Sequence, residues 1–129
     1  MSVQTAITTR FEISAKVHYN ETESCPDRPF YLFHYRICIQ NKGNNPAQLI
    51  SRHWIICDEQ GPIEEVKGPG VVGLQPKINP GQTFEYESAC PLKTPIGSMK
   101  GFYQMQDENG ESFEIEIPEF YLIAPMALH

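Results

Sequence analysis

No apolar run in this chain approaches the roughly 18 residues that a membrane helix needs, and Met1 to Arg10 lacks the apolar core of a secretory leader. A cytoplasmic protein without membrane insertion is therefore expected. The four cysteines, Cys25, Cys38, Cys57 and Cys90, include no C-x-x-C pair. Zinc sites draw on close pairs and disulfides on an oxidising compartment, so reduced thiols packed as small hydrophobes are the favoured reading. Basic residues never cluster, and the net charge is −6. Such a field repels phosphate backbones, so nucleic acid is not expected as a partner. No stretch with helical period is long enough to predict a helix, and low-complexity segments and internal repeats are missing.

What is present is hydrophobic alternation of period two. Phe11, Ile13, Ala15 and Val17 alternate with Glu12, Ser14, Lys16 and His18. Residues 30–40 alternate in the same way and are rich in aromatic and β-branched side chains, so a central strand is expected there. Residues 47–57 form another, apolar on both faces near its end, with Trp54 expected in the core. Shorter alternating runs occupy 63–67, 83–90, 99–106 and 113–117. The dipeptide Asn109-Gly110 predicts a tight primed hairpin turn before the last of these. Pro118 interrupts the pattern, 120–123 resumes it, and 124–129 reads as a frayed tail. About seven to eight strands with turn signals every ten residues or so predict an all-β, immunoglobulin-like antiparallel sandwich. With 129 residues, the chain is read as a single domain with its core at about 9–123.

Candidate chemistry is sparse. Ser51 and His53 share a strand face, but G-x-S-x-G is absent and nothing supplies an acidic partner. Glu85/Glu87 and Glu114/Glu116 read as wet sheet faces, and His18, His34, His53 and His129 show no ligand spacing. Weak Mg²⁺ or Co²⁺ binding is conceivable only at the acidic turns Asp58-Glu59 and Asp107-Glu108. No dedicated metal site, cofactor or catalytic residue is expected.

The string Gly68-Pro69-Gly70-Val71-Val72-Gly73 satisfies G-x-G-x-x-G, yet Pro76 and Pro80 would break the helix that a dinucleotide fingerprint must open. What survives is an anion-binding concavity for phosphate or pyrophosphate. It would use the backbone at Gly68, Gly70 and Gly73 with Lys67 and Lys77.

The run Leu49-Ile50-Ser51-Arg52-His53-Trp54-Ile55-Ile56, with Glu65-Val66-Lys67-Gly68-Pro69-Gly70-Val71-Val72-Gly73, strongly resembles the bacterial ApaG family. So do Pro80-Gly81-Gln82-Thr83-Phe84-Glu85-Tyr86, Thr94-Pro95-Ile96-Gly97-Ser98-Met99-Lys100-Gly101, Tyr103-Gln104-Met105 and Ile117-Pro118. The resemblance covers nearly the whole chain. It implies a fibronectin type III-like sandwich and an association with cobalt resistance and magnesium efflux. A domain without a membrane span cannot itself conduct ions, so that association would be indirect. The resemblance also implies a protein-interaction module, so a non-catalytic adaptor that binds an unidentified protein partner is expected, and Arg52 and His53 are the candidate surface contacts. The enzymatic alternative is binding or hydrolysis of a nucleotide polyphosphate at the glycine string, prompted by the motif and by the neighbouring diadenosine tetraphosphate hydrolase gene in that family.

Overall fold

A computed structural model describes residues 3–8 and 10–128; His129 lies outside them. Each alternating run becomes a strand because one of its faces is apolar and must be covered. In chain order the strands are β1 (Val3–Thr8), β2 (Phe11–Tyr19), β3 (Tyr31–Asn41), β4 (Ala47–Asp58), β5 (Gly61–Pro69), β6 (Lys77–Ile78), β7 (Thr83–Leu92), β8 (Ile96–Asp107) and β9 (Ser112–Ile123). They form two antiparallel sheets, β1-β2-β3-β7 and β5-β4-β8-β9, with the short β6 paired to the start of β4. The fold is the expected immunoglobulin-like, fibronectin type III-like sandwich. β1 is an addition to the strands expected from the sequence.

The inner faces supply the core: Ile13, Phe33, Ile37 and Ile39 from one sheet, and Leu49, Tyr103, Ile115 and Phe120 from the other, all fully buried. Asn41, also buried, closes a loop rather than breaking the core. Its amide nitrogen donates to the carbonyls of Asn45 and Ile78, and its amide oxygen accepts from the Gly43 N–H, so no polar atom is left stranded.

Two bulges decide which side chains point inward. On β4, Leu49 pairs with Met105 and Ser51 with Gln104, so Ile50 is an extra residue. Before it the odd positions Ala47 and Leu49 face the core; after it the even positions Trp54 and Ile56 do. On β9, Met99 opposes Phe120 while Gly101 opposes Ile117, which leaves Pro118 and Glu119 against a single residue. The interruption at Pro118 is therefore a bulge in one continuous edge strand, where a missing N–H costs nothing.

Three local expectations change. The turn at Asn109-Gly110 is a wider loop in which Asp107 accepts the amides of Asn109 and Glu111 and only Gly110 has positive φ. The carboxylate of Asp107 stabilises this form over the two-residue primed turn. Gly68 and Pro69 belong to β5 rather than to a loop. The chain end is not frayed throughout, because Ala124 is buried and Pro125–Leu128 makes a 3-10 turn.

Candidate functional site

The sandwich closes on one side and opens on the other. β1 and β2 pack against β9, whereas the edge strands β5 and β7 part around a cavity of about 320 Å³. Tyr35 and Trp54 line its floor, and Trp54 meets Tyr35 and, beneath it, Tyr103 and Phe120 edge-on at ring separations of 5.6, 6.3 and 5.9 Å. Ser88, Cys90 and Tyr86 line the β7 side; Glu64 and Val66 line the β5 side.

Arg52 enters this cavity because of the bulge at Ile50, which turns it to the same face as Trp54 and Ile56. Its Nη1 donates to the carbonyls of Pro69 (2.9 Å) and Gly70 (3.0 Å). The guanidinium lies over Gly68, where an added Cβ would stand 3.1 Å from both terminal nitrogens. Among the described residues no carboxylate lies within ion-pair reach of Arg52. Its Nε and Nη2 donors are thus left for solvent or a ligand.

His53 points the other way. On the outer face its Nε2 is 3.1 Å from Oε2 of Glu65, and its ring is 4.7 Å from that of Phe102. The pair has ion-pair distance without hydrogen-bond alignment, leaving Nε2 buried and unsatisfied. Together with Lys67, 3.7 Å away, the histidine holds the Glu65 carboxyl below the usual range, with His53 the larger cause. Arg52 and His53 therefore do not form one patch: adjacent residues of a strand face opposite sides.

Several backbone groups of the glycine string are already engaged within the protein. The Gly70 amide donates to Ile50, and Val71 and Leu74 exchange N–H···O=C bonds, each at 2.8 Å. Val72 and Gly73, at φ 43° and 80°, make the two-residue primed turn between them. A helix does not follow; β6 does. Gly70 is required by contact, since a Cβ there would lie 2.1 Å from the Leu74 carbonyl oxygen. Lys67 pairs with His53 and Lys77 with Gln48, placing the two lysines about 17 Å apart along β4.

The group that sequence reasoning passed over is the hydroxyl cluster, and Glu64 joins it at the cavity. Tyr86 and Tyr103 share a buried hydrogen bond between their phenolic oxygens. Burial, the leading cause, raises the pKa of Tyr35, Tyr86 and Tyr103, and the Arg52 cation offsets a little of this. Burial, followed by the charge of Glu64, pushes the Cys90 thiol up to about 12. It is protonated at neutral pH, the less nucleophilic form. Glu64 pairs with Ile56 and Gly68 with Arg52, so the backbone positions of Glu64 and Arg52 are about 13 Å apart along the strands. The cleft thus offers a cation with unspent donors, an apolar floor and a carboxylate, in that order.

The family model for the ApaG domain matches residues 21–107. The chain is 64% identical over 119 residues to Protein ApaG of Bdellovibrio bacteriovorus, covering 92% of this chain and 94% of that one. The chain belongs to the ApaG family. Protein ApaG of Chromobacterium violaceum is 51% identical, with 93% and 95% covered. A crystal structure from Bordetella pertussis, described as an ApaA protein, superposes with a TM-score of 0.86 at 50% identity, covering 89% of this chain and 94% of that one. The sandwich is thus shared with a solved structure at 50% identity. Among the described residues, no trio of His, Cys, Asp and Glu is placed to hold a metal ion.

Proposed function

We propose that this ApaG domain, spanning the whole chain, is a non-catalytic binding module that takes a segment of a partner protein into the cleft between β5 and β7. The observation that carries this reading is Arg52: a guanidinium held at the cavity by two carbonyl contacts, with donors to spare and no carboxylate partner among the described residues. A cation so placed favours an anionic side chain or a chain-terminal carboxylate, because charge-assisted bonds in a partly desolvated cleft exceed those in water. The aromatic floor would take an adjacent apolar side chain. Any part in cobalt resistance or magnesium efflux would then be exercised through the partner, in the cytoplasm.

A photo-crosslinking residue at Ala89, exposed on the cavity rim, tests this in cells. The expected result is a discrete crosslinked protein that disappears with Arg52→Met. Capture of the same protein at the same yield by an Arg52→Met variant that unfolds at the wild-type urea midpoint would overturn the reading.

A further inference from the structure

β5 is an edge strand, and its free side has a definite polarity. The Gly70 amide donates to Ile50 on β4. The alternation of an antiparallel ladder then turns the backbone groups of Gly68, Val66 and Glu64 toward β4, and those of Lys67 and Glu65 toward the open edge. The regular stretch is short. Ile63 is bulged out, since Ile56 pairs with Glu64 and Cys57 with Pro62, and at the far end Pro69 has no N–H to offer. Residues 64–68 remain, and Val66 is their midpoint.

The side chains of this stretch are complementary to themselves. If a second strand of the same sequence runs antiparallel beside it, with Val66 opposite Val66, Glu65 falls opposite Lys67 on the outer face. On the inner face Glu64 falls opposite Gly68. Gly68 has no side chain, and the Arg52 guanidinium covers it, 3.1 Å from where a Cβ would be. A two-fold axis at Glu65 or at Lys67 would instead set like charges directly against each other, which is destabilising. The exposed apolar residues at this edge agree with the same register. Ile63, Val72 and Leu74 are 49%, 55% and 53% exposed, and they flank the two ends of the stretch.

We infer that two copies of this chain pair antiparallel through residues 64–68 about a two-fold axis at Val66, and that Glu64 of the partner subunit completes the binding shell of Arg52. The result is a continuous sheet across the two subunits, with both clefts opening onto the seam. Backbone bonds join Glu65 to Lys67 of the partner subunit and the reverse. Because the seam occupies Arg52, self-pairing and capture of a partner segment compete.

Purified protein with no partner present tests this by sedimentation over a concentration series. Wild-type protein should show a monomer–dimer equilibrium. Glu65→Lys should weaken it by about tenfold or more, and Glu65→Lys combined with Lys67→Glu should restore it to within about threefold. Both positions are solvent-exposed, and the urea midpoint of each variant checks that losing the Glu65 contacts to His53 and Lys67 leaves the chain folded. Register is read separately with Val66→Cys. Opposed Cα atoms at about 4.5 Å lie within disulfide reach, so mild oxidation should link position 66 to position 66, whereas Lys67→Cys should link poorly to itself. A wild-type chain that stays monomeric at millimolar concentration overturns the inference, as does equal self-linking at 66 and 67 or no rescue by the double exchange. The crosslink at Ala89, made in dilute cytosol, is unaffected by any of these outcomes.

Discussion

Val72 is a β-branched residue at φ 43°, in the first central position of the primed turn that joins Val71 to Leu74. The left-handed region crowds an L side chain against the following carbonyl, at a cost of about 1–2 kcal/mol that asparagine largely escapes. Val72 is 55% exposed. Full burial of a valine is worth about 1.5–3 kcal/mol, so removing its partly covered surface forfeits about 1 kcal/mol at most. Val72→Asn should therefore stabilise the fold by about 0.5–1 kcal/mol, a rise of roughly 2–5 °C in Tm for a chain of this size. Urea and thermal unfolding followed by Trp54 fluorescence measure it. The matching control is Gly73→Ala, at φ 80°, which should destabilise by about 1–2 kcal/mol. A Val72→Asn protein with a midpoint at or below wild type would refute the reasoning, because the strain would then not be stored in this turn. If the exposed valine is kept for contact across the cleft mouth, the same variant should also self-associate less while folding better.

Gly101→Ala should cost about 3 kcal/mol or more in urea unfolding, since its Cβ would lie 1.9 Å from the His53 carbonyl oxygen and force β4 from β8. Tyr86→Phe and Tyr103→Phe should each cost about 1–3 kcal/mol by stranding the other hydroxyl, while the double variant should lose clearly less than their sum; strict additivity would deny the hydrogen bond. Cys90 holds its proton in the fold up to about 12 against an ordinary 9.0. The unfolded chain loses that proton first, so stability should be flat up to about pH 9 and fall through pH 12, by up to about 4 kcal/mol. Cys90→Ala should flatten part of that decline in the urea midpoint measured from pH 7 upward.

The strands were legible because their cause is local. Alternation at 11–17, 30–40 and 113–117 marks a buried and a wet face whatever the neighbouring strand is, and Trp54 read correctly as core. The Asn109-Gly110 hairpin was legible too, although not its turn, because the carboxylate of Asp107 competes for the loop amides. Arg52 and His53 were singled out as neighbours in sequence, yet the strand sends them to opposite faces. Which of the two meets the cavity depends on the bulge at Ile50, and no residue type announces a bulge. Glu64 gains meaning only from the register of β5 on β4, which places it along the same inner face as Gly68.

The amino-acid sequence by itself determined the two-layer β architecture and the family, because side-chain periodicity and motif strings are properties of the chain taken in order. Tertiary structure alone decided that β5 and β7 stand apart, that Arg52 reaches over Gly68, and that the glycine string closes on itself as a hairpin. Those outcomes depend on strand order, register and edge position, which are set by pairing between segments far apart in the chain.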